Sequence, residues 1–301
     1  MEHTAISHLG ELAALTAALC WSLNAMAFEV AGKRVGSLAV NYLRIFVVFP
    51  LLTLTALLTR GMPLPSDAAP EAWFWLSISG LIGFVLGDIF LFQALVEIGS
   101  RISLLISSLG PPITALISFV ILGESISLRG LLGIFVVMLG IALVVLSRNP
   151  QEKKVKLNRP LRGVVFAFLG ALGQAMGLVF SKLGMGSYNA LAATQIRLLA
   201  AFAAFTLLIT VRRKWPEMAR ALRDRRAMGC ISLGAVLGPF LGVTASLVAL
   251  QHTAAGIVSS LSSLSPVLII PFSMLFFKEK VLPKEVLGAL ISIAGVILLF
   301  L

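Results

Sequence analysis

The chain has 301 residues, 58% of them hydrophobic and 12% charged, with a mean hydropathy of +1.01 and a formal charge of +11. A soluble core of this length cannot hide so much apolar surface, whereas a bilayer can. The positive charge sits in short loops between apolar runs, which suits anionic lipid at a membrane surface and argues against a nucleic-acid partner.

Ten apolar spans follow in chain order: 9–30, 37–58, 73–95, 101–122, 127–147, 162–182, 189–211, 227–250, 254–277 and 283–301. Each is near the ~20 residues that cross a bilayer as a helix. The alternating ten-residue strands of a barrel are not seen. The expected class is therefore an all-α integral membrane protein with ten transmembrane helices. The first span is not a signal peptide, since residues 1–9 carry no Lys or Arg and the apolar run continues past Asn24 to Phe28. Leu19 before Cys20 also argues against lipoprotein cleavage.

Residues 92–146 recur as residues 247–301, at an offset of 155. Ala94/Ala249, Leu95/Leu250, Ser107/Ser262, Ser108/Ser263, Pro111/Pro266, Glu124/Glu279, Gly133/Gly288 and Gly140/Gly295 coincide. The first two spans repeat at an offset of 153, which matches Arg44 to Arg197. Two five-helix units follow, residues 1–147 and 162–301, joined by a basic linker, 148–161. An odd number of helices per unit turns the second unit upside down, the inverted-repeat build of secondary transporters. A second basic loop, 212–226, reads either as a short helix on the lipid surface or as a plain solvated loop. The loops after odd-numbered spans hold 19 Lys and Arg, against 3 on the opposite side, which places both termini outside.

Cys20 and Cys230 lie far apart in apolar surroundings and read as buried free thiols. The three histidines are scattered, so no metal site is expected. No phosphate-cradling glycine–lysine loop occurs, so no nucleotide motor and no cofactor are expected.

Cys20-Trp21-Ser22-Leu23-Asn24, the Asn41–Arg44 entry to the second span, Ala94-Leu95, the Ser107–Pro111 centre of the fourth span and Leu122-Gly123-Glu124 resemble the EamA family of the drug/metabolite transporter superfamily. The likeness covers essentially the whole chain as two units of five helices. It implies a multi-pass carrier of the bacterial inner (plasma) membrane, often an exporter of amino acids or other small metabolites. It also implies cytoplasmic termini, where the loop charges favour the reverse.

Candidate site residues come from breaks and from disagreements between the repeats. Pro111 and Pro266 sit mid-span, where each would bend its helix and free carbonyls. Ser103, Ser107, Ser108, Ser259, Ser260, Ser262 and Ser263 crowd the preceding turns. Two matched breaks point to a central binding site; close packing through small residues is the alternative. Gly80, Gly83 and Gly87, with Ala235, Gly238 and Gly242, read as packing stripes.

Asp88 has Val243 as its mate, so the fold does not demand a carboxylate there. Intramembrane carboxylates are costly and usually functional, which makes Asp88 a candidate proton site. It could instead pair with Arg44, for which Glu29 competes. Those two roles conflict, because a paired arginine opposes protonation. Arg197 has no matching Asp and could clamp a carboxylate or phosphate, or snorkel to the interface. Trp21 and Asn24 face Gln174 and Gly177 in the other unit, which suits a cavity for a small amphipathic ligand or an aromatic packing stripe. Gln93 has Val248 as its mate. Gln251 and His252 lie at a span end, as interfacial residues. Glu124 and Glu279 read as N-terminal charges of the fifth and tenth helices, with Pro283 in a first turn.

The favoured expectation is a secondary carrier of a small-molecule substrate, alternating access between the units and driven by the proton gradient, since no nucleotide site occurs. The alternative is a translocator of a lipid-linked carrier. No His–Asp cluster or paired carboxylates suggest an enzyme, and a monomer is the default because two fused units already supply the pseudo-symmetry.

Overall fold

The computed structural model describes residues 8–98, 106–107, 109–146, 161–262, 264–265, 267–268 and 283–300. The chain forms α1 (Leu9–Val35), α2 (Ser37–Arg60), α3 (Pro70–Gly80), α4 (Asp88–Ile98), α5 (Gly110–Leu122), α6 (Leu128–Leu146) and α7 (Leu161–Met185). It continues as α8 (Ala190–Val211), α9 (Trp215–Arg223), α10 (Arg225–Ala235), α11 (Val243–His252), α12 (Ala255–Ser262) and α13 (Pro283–Phe300). No strand occurs among the described residues. Among the described residues, five continuous helical segments are long and apolar enough to cross a membrane: Ser37–Arg60, Pro70–Ala94, Leu161–Met185, Ala190–Val211 and Arg225–His252. Shorter apolar helices cover Gly110–Leu122, Leu128–Gly140 and Val286–Gly295.

Local chemistry sets the helix ends. Gly61 and Gly123 close α2 and α5 at φ 71° and 66°, a left-handed conformation that a Cβ would strain. Asn189 caps α8 by accepting from the Leu191 and Ala192 amides, and Asp224 does the same for α10 through Arg226 and Ala227. Pro70 occupies the first turn of α3, where its missing N–H costs nothing.

Two expectations change, and one pair of alternatives is decided. Pro111 does not bend the interior of a helix; it stands in the first turn of α5, which starts at Gly110 after a break near Leu109. The 212–226 segment is not a plain loop, because Trp215–Arg223 is helical, with Met218 and Ala221 turned inward and Leu222 outward. Cys230 is half-buried where Cys20 is buried, and both are free. The linker 148–160 and residues 263, 266 and 269–277 of the ninth span lie outside the described residues.

The two rods that each contain a π-helical stretch organise the packing. Leu81–Gly87 joins α3 to α4, and Val236–Gly242 joins α10 to α11, at the repeat offset of 155. The first rod lies on α7 of the other unit. A Cβ built on Gly177 would come 2.8 Å from Gly83 Cα, and one on Gly173 the same distance from Gly87 Cα. The second rod lies on α1, with Gly238 against Asn24 and Gly242 against Cys20 and Trp21. Thus each glycine stripe packs on the first helix of the opposite unit. In lipid, apolar burial drives little association, so this backbone-to-backbone van der Waals contact carries the weight. Helices α6 and α13 pair in the same way, Gly140 on Ser292 and Gly295 on Val137. Their outer faces expose Leu131, Leu132, Phe135, Leu290 and Ile293, as lipid-facing helices do.

Ion pairs tie the two ends of the bundle. At one end Tyr188 Oη donates to Asp67 at 2.7 Å and Arg60 pairs with the same carboxylate. Lys182 pairs there with Glu124 and donates to Thr253 O at 2.7 Å. At the other end Arg34 pairs with Asp224 at 2.9 Å.

The glycine contacts make a direct prediction. Gly177→Ala must push the first rod off α7 and should cost about 1–3 kcal/mol. Gly229→Ala, with nothing within 4 Å of the added methyl, should be neutral or stabilise by up to roughly 1 kcal/mol. Thermal unfolding of both variants in one detergent tests this; equal melting temperatures would mean that the interface is loose.

Candidate functional site

Arg44 and Arg197 are each the eighth residue of their helices, counting from Ser37 in α2 and Ala190 in α8. Both are 5% exposed. Asp88, 6% exposed, opens α4 at the point where the π-helical stretch ends. The three meet at the interface between the units, and they are the buried charged residues among those described.

Asp88 is doubly held. The Arg44 guanidinium donates to one carboxylate oxygen through Nη2. Gln174 Nε2, on α7, donates to the other at 2.6 Å and also reaches Gly83 O at 3.4 Å. The Arg44–Asp88 pair considered from the sequence therefore forms; the side chain of Glu29, its competitor, lies outside the described residues.

Arg197 is placed differently. Its guanidinium carbon lies 4.4 Å from the centre of the Phe84 ring. It makes no salt bridge among the described residues, and its buried Nε has no hydrogen-bond partner. Asp88 attracts it through space without contact. Arg44 flanks the same ring at 6.0 Å and Phe28 at 5.8 Å. Phe84 thus stands between two like charges and lends each the negative face of its ring. Nearby polar groups are incompletely used. Asn24 and Asn41 are 4% and 2% exposed, and the Oδ1 of each has no partner.

The structure therefore brings together Asp88, Gln174 and Arg197, and lays Trp21 and Asn24 of α1 against the second rod. Ser259 belongs to a separate contact, accepting from Thr114 Oγ1 at 3.2 Å between α5 and α12. Pro111 is buried in α5, and the Ser107 hydroxyl is buried without a partner. Gln93 is partly buried on α4, beyond Asp88. Ser263 and Pro266 lie outside the described residues, as do Ser103, Ser108 and Glu279.

Glu124 is a helix N-terminal charge, but not of α6. It accepts from Ala255 N at 3.0 Å, at the start of α12, and pairs with Lys182. His252 is exposed at the end of α11, and Gln251 donates to Tyr188 O at 2.7 Å. Sequence reasoning missed Phe84 and Asn41. An aromatic inside the Gly83–Gly87 stripe, one turn before Asp88, whose repeat mate is Val243, was the available signal for Phe84.

Outside the spans, two carboxylates are held below their ordinary range. Asp67 is lowered first by the Tyr188 hydroxyl and then by Arg60. Asp224 is lowered first by the Ala227 amide and then by Arg34.

Paired spans, exposed apolar helix faces and a buried charge cluster between two repeats define a multi-pass membrane protein of the transporter class. The chain matches the EamA-like transporter family over residues 8–146 and 161–301. It belongs to that family, within the drug/metabolite transporter superfamily, and is a membrane transporter. It is 26% identical over 293 residues to a protein of Archaeoglobus fulgidus described as an uncharacterized transporter, covering 96% of this chain and 97% of that one. A protein of known crystal structure, 18% identical, shares the fold with a TM-score of 0.75 over 96% of this chain and 95% of the other.

Two predictions follow from these contacts. Asp88→Ala leaves two buried guanidiniums without a carboxylate and should cost about 3–5 kcal/mol. Adding Arg44→Met should recover part of that loss; thermal unfolding of the single and double variants measures the coupling, and strict additivity would deny it. The Asp67 latch is strongest above the ordinary carboxylate value of 3.8 and is lost as pH falls through the lower folded value. Melting temperatures taken between about pH 6 and pH 3 should fall less in Asp67→Asn than in the parent, by a small margin because the group is exposed.

Proposed function

We propose that the chain is a secondary transporter that binds a small metabolite at the buried charge cluster and exposes it alternately to the two sides of the membrane. The observation that carries this reading is the convergence of Arg44 and Arg197, matched positions of the two repeats, on the single carboxylate of Asp88. Buried charges cost several kcal/mol each, and they are kept inside membranes where they serve ligands or ions. Rods packed through glycine contacts suit the sliding that alternating access requires.

In this reading the described helices belong to ten spans, arranged as inverted units over residues 1–147 and 162–301. The membrane is the bacterial inner membrane, and anionic lipid attends the basic segments around α9. Export is the direction that family habit favours, and amino acids are the first solutes to test. The chain acts as a monomer and performs no catalytic step.

A proton gradient is the proposed driver. Arg44 opposes protonation of Asp88 while their pair is closed; opening of the pair as the units rock would let Asp88 take up a proton and release α2 from the first rod.

The test is flux in proteoliposomes loaded with labelled amino acids and related metabolites in turn, with and without an inward pH gradient. Gradient-enhanced counterflow of one solute is expected, and Asp88→Asn should abolish its pH dependence while leaving exchange. Unchanged pH dependence in that variant would remove Asp88 from coupling. Absence of flux for every small solute would turn the reading to a lipid-linked carrier, which the basic amphipathic helix α9 would serve.

A further inference from the structure

Among the described residues the charges of the centre do not balance, and we infer that the transported solute carries one negative charge, most simply a single carboxylate, which Arg197 binds. This rests on the reading of the cluster as the solute site.

The argument compares the two units. In the first, Arg44 of α2 meets Asp88 of the adjoining rod. In the second, Arg197 of α8 occupies the matching place, but the residue matching Asp88 is Val243, itself 2% exposed. The second unit therefore has the arginine without its acid. A solute carboxylate at Arg197 would stand where the repeat lacks one, and it would make the second half of the site resemble the first.

Several observations agree with an open position. Arg197 is 5% exposed, has no salt bridge among the described residues, and its Nε has no hydrogen-bond partner. Its guanidinium rests on Phe84 at 4.4 Å. A ring quadrupole is a weaker counterpart than a carboxylate, and it satisfies none of the guanidinium N–H groups. A planar guanidinium offers two parallel N–H donors, the geometry that a carboxylate takes up bidentately. Phe84 is thus a resting place from which Arg197 can be drawn to a stronger partner.

The same contacts disfavour a zwitterion. The ammonium of an amino acid would need an anionic acceptor, and both oxygens of Asp88 are already engaged, by Arg44 and Gln174. The unpartnered acceptors, Asn24 Oδ1 and Asn41 Oδ1, are neutral and suit a hydroxyl or amide. With two buried arginines against one aspartate, a monoanion brings the cluster to neutrality, whereas a zwitterion leaves the surplus in place.

The test uses the purified full chain in nanodiscs and two probe series matched in shape: propionate, alanine and ethylamine, and 3-phenylpropionate, phenylalanine and phenethylamine. Isothermal titration is expected to show the monoanion of at least one series binding about tenfold or more tighter than its zwitterion and its amine, the span that a buried charge-assisted pair supplies. Arg197→Met should abolish that preference, and Arg197→Lys, which keeps the charge but not the fork, should restore only part of it. Without solute, Arg197→Met should melt at a higher temperature than the parent, because it removes an unpaired buried charge. A structural arginine would give the opposite sign.

Equal binding of monoanion and zwitterion, or a lower melting temperature in Arg197→Met, overturns the inference. If none of the six probes binds, the single-carboxylate class falls; flux of any other solute in the proteoliposome assay would then leave the transporter reading standing alone.

Discussion

The constraint on which the rest depends is the cost of ionised side chains in hydrocarbon. Of the 24 Lys and Arg in the chain, Arg44 and Arg197 are the two among the described residues that lie more than a turn from both ends of a membrane-length helix. Others, such as Arg34, Arg60 and Lys182, sit in terminal turns, where they reach water or an ion partner. Two interior arginines require the protein to surround them with groups that replace water. Asp88 and Gln174 do this for Arg44, and the face of Phe84 does it for Arg197. The helices that supply these groups come from both units, so the cluster fastens the units to each other as well as defining a site.

The π-helical stretch connects this chemistry to the backbone. A π turn places one extra residue per turn, so carbonyls lose their regular partners and the helix face is re-aimed. Here Gly83 O, inside the stretch, accepts from Gln174, and Asp88 follows directly at its end. Phe84 and the glycines belong to the same seven residues, Leu81–Gly87. Close backbone approach to α7, a freed carbonyl, an aromatic support and the entry of the carboxylate are therefore one local device. Its copy at Val236–Gly242 keeps the geometry and the close approach to α1 but carries no charge, with Val243 where Asp88 would be. The repeat conserves the hinge-like backbone and differs in the chemistry.

Much of this was legible in the residues. Apolar spans, the two offsets and the glycine stripes have strong signals because each repeats, and the Arg44–Asp88 contact could be anticipated because charges at like depth seek each other. The π turns were not legible, since a seven-residue change of helical pitch leaves no periodic mark. Pro111 misled for a related reason: a proline in a long apolar run reads as a kink, but Gly110 and Leu109 let the helix begin anew there. Glu124 was understood as a helix charge and assigned to the next helix in sequence, whereas its partner, the Ala255 amide, is 131 residues away. Electrostatic capping is a short-range effect in space, and nothing in a single chain's order says which helix end folds nearest. The role of Phe84 was hidden because an aromatic among small residues in a membrane helix is ordinarily packing.

The ends of the bundle complete the picture through their asymmetry. In the proposed inverted arrangement, exchanging the conformations of the two units relates two states that would have equal energy if the units were identical. These units are not identical at their ends. Arg60, Asp67 and Tyr188 form a three-residue link at one end, beside Lys182, Glu124 and the first amide of α12. The opposite end is tied among the described residues by Arg34 and Asp224, a more exposed pair. Lys182 corresponds in the repeat to Glu29, a residue of opposite charge, so the Lys182 link cannot be reproduced on the other side by symmetry. In the proposed alternating-access reading, these unmatched ion pairs make the two states unequal in free energy.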